Sequence, residues 1–243
     1  MTRPPALLQV ALNGSRRRDE HPALPVTSWE LATAAAEAVA AGAGAVHFHV
    51  RDSLGAESIA AADVSRAVIA LRSAVPGIPI GVSTGAWIVP DMDKRYHLVA
   101  AWEDLPDYAS VNFHEKGAEP LAELLLSRGI GVEAGVATAA ATERFASSTL
   151  APRCLRVLME PQEQDLAAAL RTVTAIEAAL ARASLSLPCI LHGVDHTAWS
   201  MIPEAAARGY GTRIGFEDTL TLPDGSMAAS NGVLVAEARR IGG

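Results

Sequence analysis

Short apolar segments alternate along the chain with longer segments rich in alanine, leucine, glutamate and arginine. The short segments predict buried β-strands, and the longer ones predict helices. The eight predicted strands cover residues 7–13, 44–51, 79–84, 108–114, 129–135, 155–160, 188–192 and 211–217. The eight predicted helices cover residues 29–41, 62–74, 91–102, 118–127, 139–147, 162–183, 198–207 and 228–241. This order predicts a (β/α)8 TIM barrel, as a single domain over residues 1–243.

Local signals mark where several of these elements begin and end. Ser28 precedes the first predicted helix, as capping residues do, while Gly42 and Gly209 follow helices. A doubly wound open sheet is the alternative fold, but it normally has fewer strands and a nucleotide-binding loop. The chain has no G-x-G-x-x-G or Walker sequence, which favours the barrel.

Composition narrows the classes of partner. Half of the 243 residues are hydrophobic, and the formal charge of −7 argues against binding to nucleic acid or to an anionic membrane. No run approaches the roughly 20 apolar residues that span a bilayer, and the N-terminus lacks the cleavage site of a secretory signal. Cys154 and Cys189, the only cysteines, are expected as reduced core residues. We therefore expect a cytoplasmic protein.

The second predicted strand carries the strongest chemical signal. His47, His49 and Arg51 alternate with apolar residues, so in a strand they share one face. The opposite face is apolar, which suits a strand buried on both sides, so the polar face needs a partner. Paired imidazoles at this spacing favour a metal site; the alternative is a set of histidines hydrogen-bonded inside a polar barrel.

Polar residues also end every predicted strand, at the rim where TIM barrels hold their active sites. These residues are Asn13 on strand 1, His47, His49 and Arg51 on strand 2, Ser83, Thr84 and Gly85 on strand 3, Asn112 and His114 on strand 4, Glu133, Glu160 and His192 on strands 5 to 7, and Glu217 and Asp218 on strand 8. The strand beginnings are mostly Gly, Pro, Leu and Ala. The asymmetry predicts a polar active site at this rim.

The eighth predicted strand can complete a metal site. Arg213 and Glu217 have the same strand parity, with Gly215 leaving room between them, so both can face the barrel mouth. Because strands 1 and 8 are neighbours in a closed barrel, Glu217 comes within one strand of His47 and His49. Two imidazoles and one carboxylate are the protein ligands of a catalytic zinc.

Two further readings concern the same segment. Glu217 could instead form a salt bridge with Arg51 or Arg213. Asp218 would point the other way along an extended strand, which makes it a neighbouring base rather than a ligand.

Short motifs spread over nearly the whole chain carry a family resemblance. They are residues 11–14 (ALNG), residues 21–27 (HPALPVT), His47-x-His49-x-Arg51-Asp52, Ser83-Thr84-Gly85, Arg213-x-Gly215-x-Glu217-Asp218, residues 222–225 (LPDG) and Ser230-Asn231. In these motifs the chain resembles the β-keto acid cleavage enzymes, which include the 3-keto-5-aminohexanoate cleavage enzyme. The resemblance implies an oligomeric, zinc-bearing TIM barrel that exchanges acyl groups between a β-keto acid and acetyl-CoA, giving acetoacetate and a new acyl-CoA.

The resemblance also implies roles for individual positions. The residues that match zinc ligands are His47, His49 and Glu217. Asp218 matches the residue that removes a proton from the substrate, Arg213 its arginine partner, and Ser83 a residue at the substrate carboxylate. Further substrate contacts are predicted at Thr84, Gly85, Asn112 and Arg16.

One position departs from the family pattern. Members that act on an amino-substituted keto acid carry a glutamate soon after the first-strand glycine, where this chain has Ser15 and Arg16. A cation there would repel an ammonium tail, so we expect an anionic or neutral substrate tail. Arg16 to Arg18 could instead meet the CoA phosphates, or form a solvated loop.

Rival functions stay open at this stage. A metal-dependent hydrolase of the amidohydrolase type also uses His-x-His in a barrel, but it needs histidines on strands 5 and 6, where this chain has Glu133 and Glu160. Lys94 and Lys116, the only lysines, lie outside the predicted strands, which argues against a Schiff-base aldolase. A barrel that only binds a small acid is the third possibility.

Overall fold

The predicted alternation of strand and helix is the order that the chain adopts in a computed structural model, which describes residues 6–242. The parallel strands are β1 Leu8–Ala11, β2 Ala45–Phe48, β3 Ile80–Ser83, β4 Tyr108–Asn112, β5 Gly131–Val136, β6 Arg156–Met159, β7 Cys189–Leu191 and β8 Gly211–Ile214. The α-helices are α1 Ser28–Ala40, α2 Ala61–Ala74, α3 Met92–Ala100, α4 Ala118–Ser127, α5 Ala139–Ser147, α6 Leu166–Arg182, α7 Ala198–Arg208 and α8 Asn231–Gly242. The strands close into one barrel in sequence order, which confirms the TIM barrel and excludes the doubly wound sheet.

Side-chain caps fix the helix starts more closely than the sequence pattern does. Thr27, and not the predicted Ser28, caps α1: Glu30 N donates to Thr27 Oγ1 at 3.2 Å, and Thr27 N donates to Glu30 Oε2 at 2.9 Å. This reciprocal capping box satisfies two otherwise unpaired backbone donors. The sixth helix begins later than predicted because Asp165 caps it, accepting from Ala168 N at 2.9 Å.

The barrel interior holds a buried polar cluster below the rim. Gln9 Nε2 donates to the Tyr108 hydroxyl and to Glu133 Oε1, each at 2.9 Å, and Arg156 Nε lies 2.5 Å from Glu133 Oε1. The Arg156 guanidinium also lies 4.5 Å from the centre of the Tyr108 ring. Burial acts to raise the pKa of Glu133, but Arg156 brings it below its usual range. The prediction that Glu133 ends its strand is wrong, because β5 continues to Val136.

Strand register brings two distant segments together at the rim. Strand β1 lies between β2 and β8, with Ala11 opposite His47 and Gln9 opposite Arg213. The side chain of Asn13, just beyond β1, accepts from His49 N at 2.9 Å and donates to His49 O at 3.0 Å. The end of β2 is therefore held against β1, facing the segment that follows β8.

The two cysteines and the lengths of the helices bear on the expectations drawn from composition. Cys154 is buried and Cys189 half-buried, both are unpaired, and burial raises the pKa of each thiol to about 11. Neither thiol is therefore an activated nucleophile. Within residues 6–242, no helix is both long enough and apolar enough to cross a bilayer.

Candidate metal centre and active site

His47, His49 and Glu217 converge at the centre of the rim, as the sequence predicted. His47 Nε2 lies 3.7 Å from Glu217 Oε2, and His49 Nε2 lies 3.6 Å from Glu217 Oε1. One ligand atom from each residue lies within 4.8 Å of the others, and no second group of this kind occurs within residues 6–242. Two imidazole nitrogens and one carboxylate oxygen thus surround a common point, as a metal ion requires.

Burial and nearby charges shift the pKa values of His47, His49 and Glu217. Burial lowers the pKa of His47 to about 4, so its imidazole is neutral at pH 7. Burial also acts to lower the pKa of His49, but Glu217 and Glu57 together raise it to about 9. Burial acts to raise the pKa of Glu217, yet Arg213 and the two histidines hold it well below its usual range. His49 therefore holds a proton between Glu217 and Glu57 at pH 7, and a metal ion would have to displace that proton.

Glu57 fixes the orientation of His49. Its Oε1 lies 2.5 Å from His49 Nδ1, and its Oε2 accepts from Trp87 Nε1 at 3.1 Å. The Trp87 ring stacks on His49 with 6.0 Å between ring centres. With Nδ1 engaged by a carboxylate, Nε2 is the nitrogen that remains for a metal, which is the usual arrangement of a metal-binding histidine.

Glu57 has no role in the sequence prediction, although its position follows from a turn. Asp52 Oδ1 accepts from Leu54 N at 2.8 Å and from Ala56 N at 3.0 Å, and Gly55 adopts a φ of +85°. The turn folds the chain back so that Glu57 pairs with Arg51 in an antiparallel bridge. An Asp-x-x-Gly turn directly after the His-x-His motif is the signal that could have found it.

The approach of Glu217 depends on two glycines. A Cβ on Gly215 would lie 1.9 Å from the carbonyl oxygen of Ala11, so only glycine lets this segment pass close to β1. A Cβ on Gly14, whose φ is +56°, would lie 2.4 Å from Glu217 Cγ. Glu217 N donates to Ala11 O at 3.2 Å and completes the attachment.

Asp218 lies on the same side of the rim as Glu217. The prediction that it points the other way is wrong, because β8 ends at Ile214 and the chain turns, with Asp218 N donating to Gly215 O at 2.9 Å. Arg213 Nη2 donates to Glu217 Oε1 at 2.9 Å and to Asp218 Oδ1 at 2.7 Å. These two carboxylates raise the pKa of Arg213 although burial opposes it. Asp218 Oδ2 is buried without a hydrogen-bond partner.

His192 is the second group beside Asp218. Its Nδ1 lies 3.3 Å from Asp218 Oδ1, and its Nε2 lies 3.8 Å from Glu160 Oε2. Burial and Arg213 act to lower the pKa of His192, but Asp218 and Glu160 raise it overall. The sequence placed His192 at the end of strand 7 but assigned it no role, since partners across a barrel mouth are not encoded in spacing.

These groups open into a cavity of about 610 Å³ at the barrel mouth. Its walls include His49, Glu217, Asp218, Arg213 and His192, together with Ser15, Trp87, Asn112, His114, Thr138 and Glu160. The predicted substrate contact Asn112 thus faces the cavity, and its Nδ2 donates to Glu115 Oε1 at 3.0 Å. The volume is sufficient for a small organic acid.

The motif at the end of β3 supports the cavity from behind its wall. Ser83 and Thr84 are buried, and Thr84 Oγ1 donates to Ser110 O at 2.6 Å. Gly85 N lies 3.5 Å from Ser83 Oγ, and a Cβ on Gly85 would lie 2.2 Å from the Trp87 ring. Gly85 therefore lets Trp87 lie flat beside the site. None of the three lines the cavity wall, so their contact with substrate stays a prediction.

Arg16 lies in the loop that follows β1, and Arg51, which follows β2, contacts that loop. Arg16 Nη2 lies 2.6 Å from Asp195 Oδ1, and Arg16 Nη1 lies 3.4 Å from Glu20 Oε2. Arg51 Nη2 donates to the carbonyl oxygen of Arg16 at 2.9 Å and also to that of Gly14. Arg51 is therefore a support for the loop, while Arg16 lines a neighbouring groove and not the cavity.

Comparison with known proteins gives the family of this chain. A family model described as beta-keto acid cleavage enzyme matches residues 5–243. The chain belongs to this family. It is 25% identical to the 3-keto-5-aminohexanoate cleavage enzyme of Fusobacterium nucleatum subsp. nucleatum, over 97% of this chain and 90% of that enzyme. The resemblance predicted from the motifs is thus confirmed, and the chain is an enzyme of the β-keto acid cleavage family.

Solved structures with the same fold include ObcA. In its ternary complex with a C4-CoA adduct and oxalate, ObcA matches with a TM-score of 0.72 at 16% identity, over 90% of this chain and 63% of ObcA. This chain therefore spans about three fifths of the ObcA length. A type I 3-dehydroquinate dehydratase from Clostridium difficile matches with a TM-score of 0.62 at 10% identity, over 97% of this chain and 91% of that enzyme. At these identities the likeness shows the fold alone.

Proposed function

We propose that this β-keto acid cleavage family member is a zinc enzyme that exchanges acyl groups between a β-keto acid and acetyl-CoA, forming acetoacetate and a new acyl-CoA. One observation carries the proposal: His49 and Glu217, which form a group with His47, line the same cavity as the Asp218 and Arg213 pair. A cation site and a carboxylate with an unpartnered oxygen within one cavity suit proton removal next to a keto group.

The donor set fits zinc. Glu217 Oε2 is buried without a hydrogen-bond partner and lies 3.7 Å from His47 Nε2. Because a buried carboxylate oxygen needs a partner, a cation held by His47, His49 and Glu217 would supply one. Two imidazoles and a carboxylate leave a fourth position for substrate, as in catalytic zinc sites. When bound, zinc would act as a Lewis acid that polarises the substrate keto group.

Asp218 and Arg213 serve the proton transfers of the reaction. Asp218 Oδ2 takes the proton from C2 of the β-keto acid, and Arg213 orients the Asp218 carboxylate through its 2.7 Å hydrogen bond to Oδ1. The C2 carbanion attacks the acetyl thioester and releases CoA thiolate. The thiolate attacks the original keto carbon, the bond from that carbon to C2 breaks, and Asp218 returns its proton to C2 of acetoacetate.

The experiment that tests this proposal measures acetoacetate release from acetyl-CoA with a panel of β-keto acids, beside metal analysis of the purified protein. We expect one zinc per chain and acetoacetate formation that requires both acetyl-CoA and keto acid. Zinc with CoA-independent hydrolysis would contradict the exchange and favour the amidohydrolase alternative. Glu217→Gln should lose zinc, whereas Glu115→Gln, a carboxylate outside the metal group, should retain it.

We also propose that the substrate tail is neutral or anionic. Ser15, which replaces the glutamate of family members that act on amino-substituted substrates, lines the cavity. Glu160 is a carboxylate that also lines it. Arg16 supports this less than the sequence suggested, because Asp195 and Glu20 neutralise its charge. Faster turnover of a cationic β-keto acid than of its anionic analogue would refute the proposal. From the family resemblance we further propose a homo-oligomer in the cytoplasm, which light scattering and cell fractionation test.

A further inference from the structure

A second concavity lies beside the cavity, and the proposed reaction steps do not use it. It has a volume of about 1350 Å³ and is formed by the loops that follow β1 and β2 and by the first turns of α1 and α2. We call it the arginine groove after its five arginines, Arg16, Arg17, Arg18, Arg51 and Arg66.

The lining of the groove contains more arginines than acidic residues, although the chain has a formal charge of −7. The lining has five arginines and three aspartates, Asp19, Asp52 and Asp63. Just outside the lining, Glu20 and Asp195 neutralise Arg16, and Glu30 pairs with Arg18. One of the three aspartates in the lining, Asp52, already accepts two backbone hydrogen bonds in its turn. Guanidinium groups gathered in this way favour a ligand with several negative charges, and phosphate oxygens match their geometry best.

The arginines divide into a wall and a set that faces solvent. Arg16 and Arg51 are held by the contacts described above and form the wall. The side chains of Arg17, Arg18 and Arg66 are 80%, 51% and 56% exposed. Arg17 pairs with the exposed Asp19, whereas Arg18 and Arg66 pair with the partly buried Glu30 and Asp63. Because an ion pair between exposed side chains is weak, Arg17 can exchange its carboxylate for a phosphate at little cost, and Arg18 and Arg66 can receive a phosphate on their solvent-exposed side.

An exposed aromatic ring completes the groove. Trp29 lies in the first turn of α1, lines the groove and is 74% exposed. It packs against no other aromatic ring within residues 6–242. An indole open to solvent beside several arginines is a surface on which a purine can stack.

The groove and the cavity are lined by residues that are neighbours along the chain. Ser15 lines the cavity and the next residue, Arg16, lines the groove, while Arg51 in the groove follows the candidate ligand His49 by two residues. A ligand with a phosphorylated purine at one end and a reactive group on a flexible arm at the other fits this pair of adjoining sites. Acetyl-CoA has this form.

We propose that the arginine groove binds the 3′-phosphorylated adenosine diphosphate end of CoA, with Arg17, Arg18 and Arg66 on the phosphates and Trp29 on the adenine. The pantetheine arm then crosses the Ser15 and Arg16 boundary to bring the thioester into the cavity. This assignment rests on the proposed function for the identity of the co-substrate, whereas the groove chemistry rests on its own residues.

The test measures binding without turnover. Calorimetry gives Kd for CoA, for adenosine 3′,5′-bisphosphate and for pantetheine on the wild type and on the double variant Arg17→Ala/Arg66→Ala. The matched control is Arg153→Ala/Arg182→Ala, which removes two arginines that are 50% and 61% exposed and that pair with carboxylates outside the groove. A single variant, Trp29→Ala, tests the stacking surface.

We expect Kd for CoA and for the bisphosphate to rise about tenfold for each arginine removed and at least about fivefold for Trp29→Ala, with pantetheine and the control unaffected. A Kd for CoA within twofold of wild type in the arginine double variant overturns the groove assignment, whatever the enzyme turns over. Arginine-dependent CoA binding without acyl exchange supports the groove and overturns the proposed reaction, so the two failures are distinguishable.

Discussion

Gly14→Ala should damage the proposed metal centre without replacing any proposed ligand. Gly14 has a φ of +56°, and an added Cβ would lie 2.4 Å from Glu217 Cγ and 2.9 Å from Glu217 Cβ. The Cβ atom of Glu217 is fixed by the backbone, so a rotamer change cannot relieve the contact and the segment that carries Glu217 must shift. Alanine in this backbone conformation costs about 1–2 kcal/mol by itself. Displacing a metal ligand or its support lowers metal affinity by about 10- to 100-fold.

The control variant Gly77→Ala separates the loss of stability from the loss of zinc affinity. Gly77 has a φ of +79°, and an added Cβ there would meet nothing within 4 Å. Gly77→Ala should therefore lose about the same 1–2 kcal/mol of stability and keep full zinc affinity. Zinc affinity is measured by competition with a chromophoric chelator, and stability by urea unfolding of the metal-free protein. Equal zinc affinity in Gly14→Ala and Gly77→Ala would refute the role of Glu217 as a ligand placed by this close approach.

Three further predictions follow from the described contacts. Asp218→Asn should lower kcat by about 10²- to 10⁴-fold while metal analysis finds zinc retained, because only the proton acceptor is lost; activity near wild type would exclude Asp218 as the base. Arg156→Met should cost about 3–5 kcal/mol in urea unfolding because the buried Glu133 carboxylate loses its counter-charge and keeps only the hydrogen bond from Gln9. Adding Glu133→Gln should restore part of this loss, and a loss under about 1 kcal/mol in the single variant would contradict the prediction. Partial burial acts to raise the pKa of Glu30, but hydrogen bonds from Arg18, Thr27 and Val26 lower this pKa to about 2. Because the pKa is lower in the folded state, Glu30 stabilises the fold above pH 4.5 and loses this contribution as the pH falls toward 2. The stability difference between wild type and Glu30→Gln, about 0.5–1 kcal/mol at pH 6, should therefore shrink between pH 4.5 and pH 3, and a constant difference would refute the linkage.

The sequence predicted the barrel because strand and helix periodicities are local properties of the chain. It also predicted that His47, His49 and Glu217 converge, since the two histidines share one strand face and closure of β1 against β8 brings Glu217 near them. The prediction that Glu133 ends its strand was wrong, because the sequence pattern does not distinguish a polar residue inside a short strand from one at the end of the strand. A buried arginine, Arg156, is what permits Glu133 to lie in the interior.

The errors near the site have a different cause. Strand parity assigned Asp218 to the opposite face from Glu217, but parity ceases to apply after Ile214, where the chain turns. Glu57 and His192 escaped assignment for a related reason. Their roles depend on where loops return across the barrel mouth, and spacing along the chain does not determine the direction of a side chain after a turn.

The most direct test of the proposed exchange follows the acetyl group. Enzyme, β-keto acid and acetyl-CoA labelled with ¹³C at the acetyl carbonyl are mixed, and the products are identified by ¹³C NMR. The proposed route places the label at C3 of acetoacetate, with C1 and C2 unlabelled and derived from the β-keto acid, and gives an unlabelled new acyl-CoA. Cleavage of the keto acid with all label remaining in acetyl-CoA or released as acetate would contradict the proposed function.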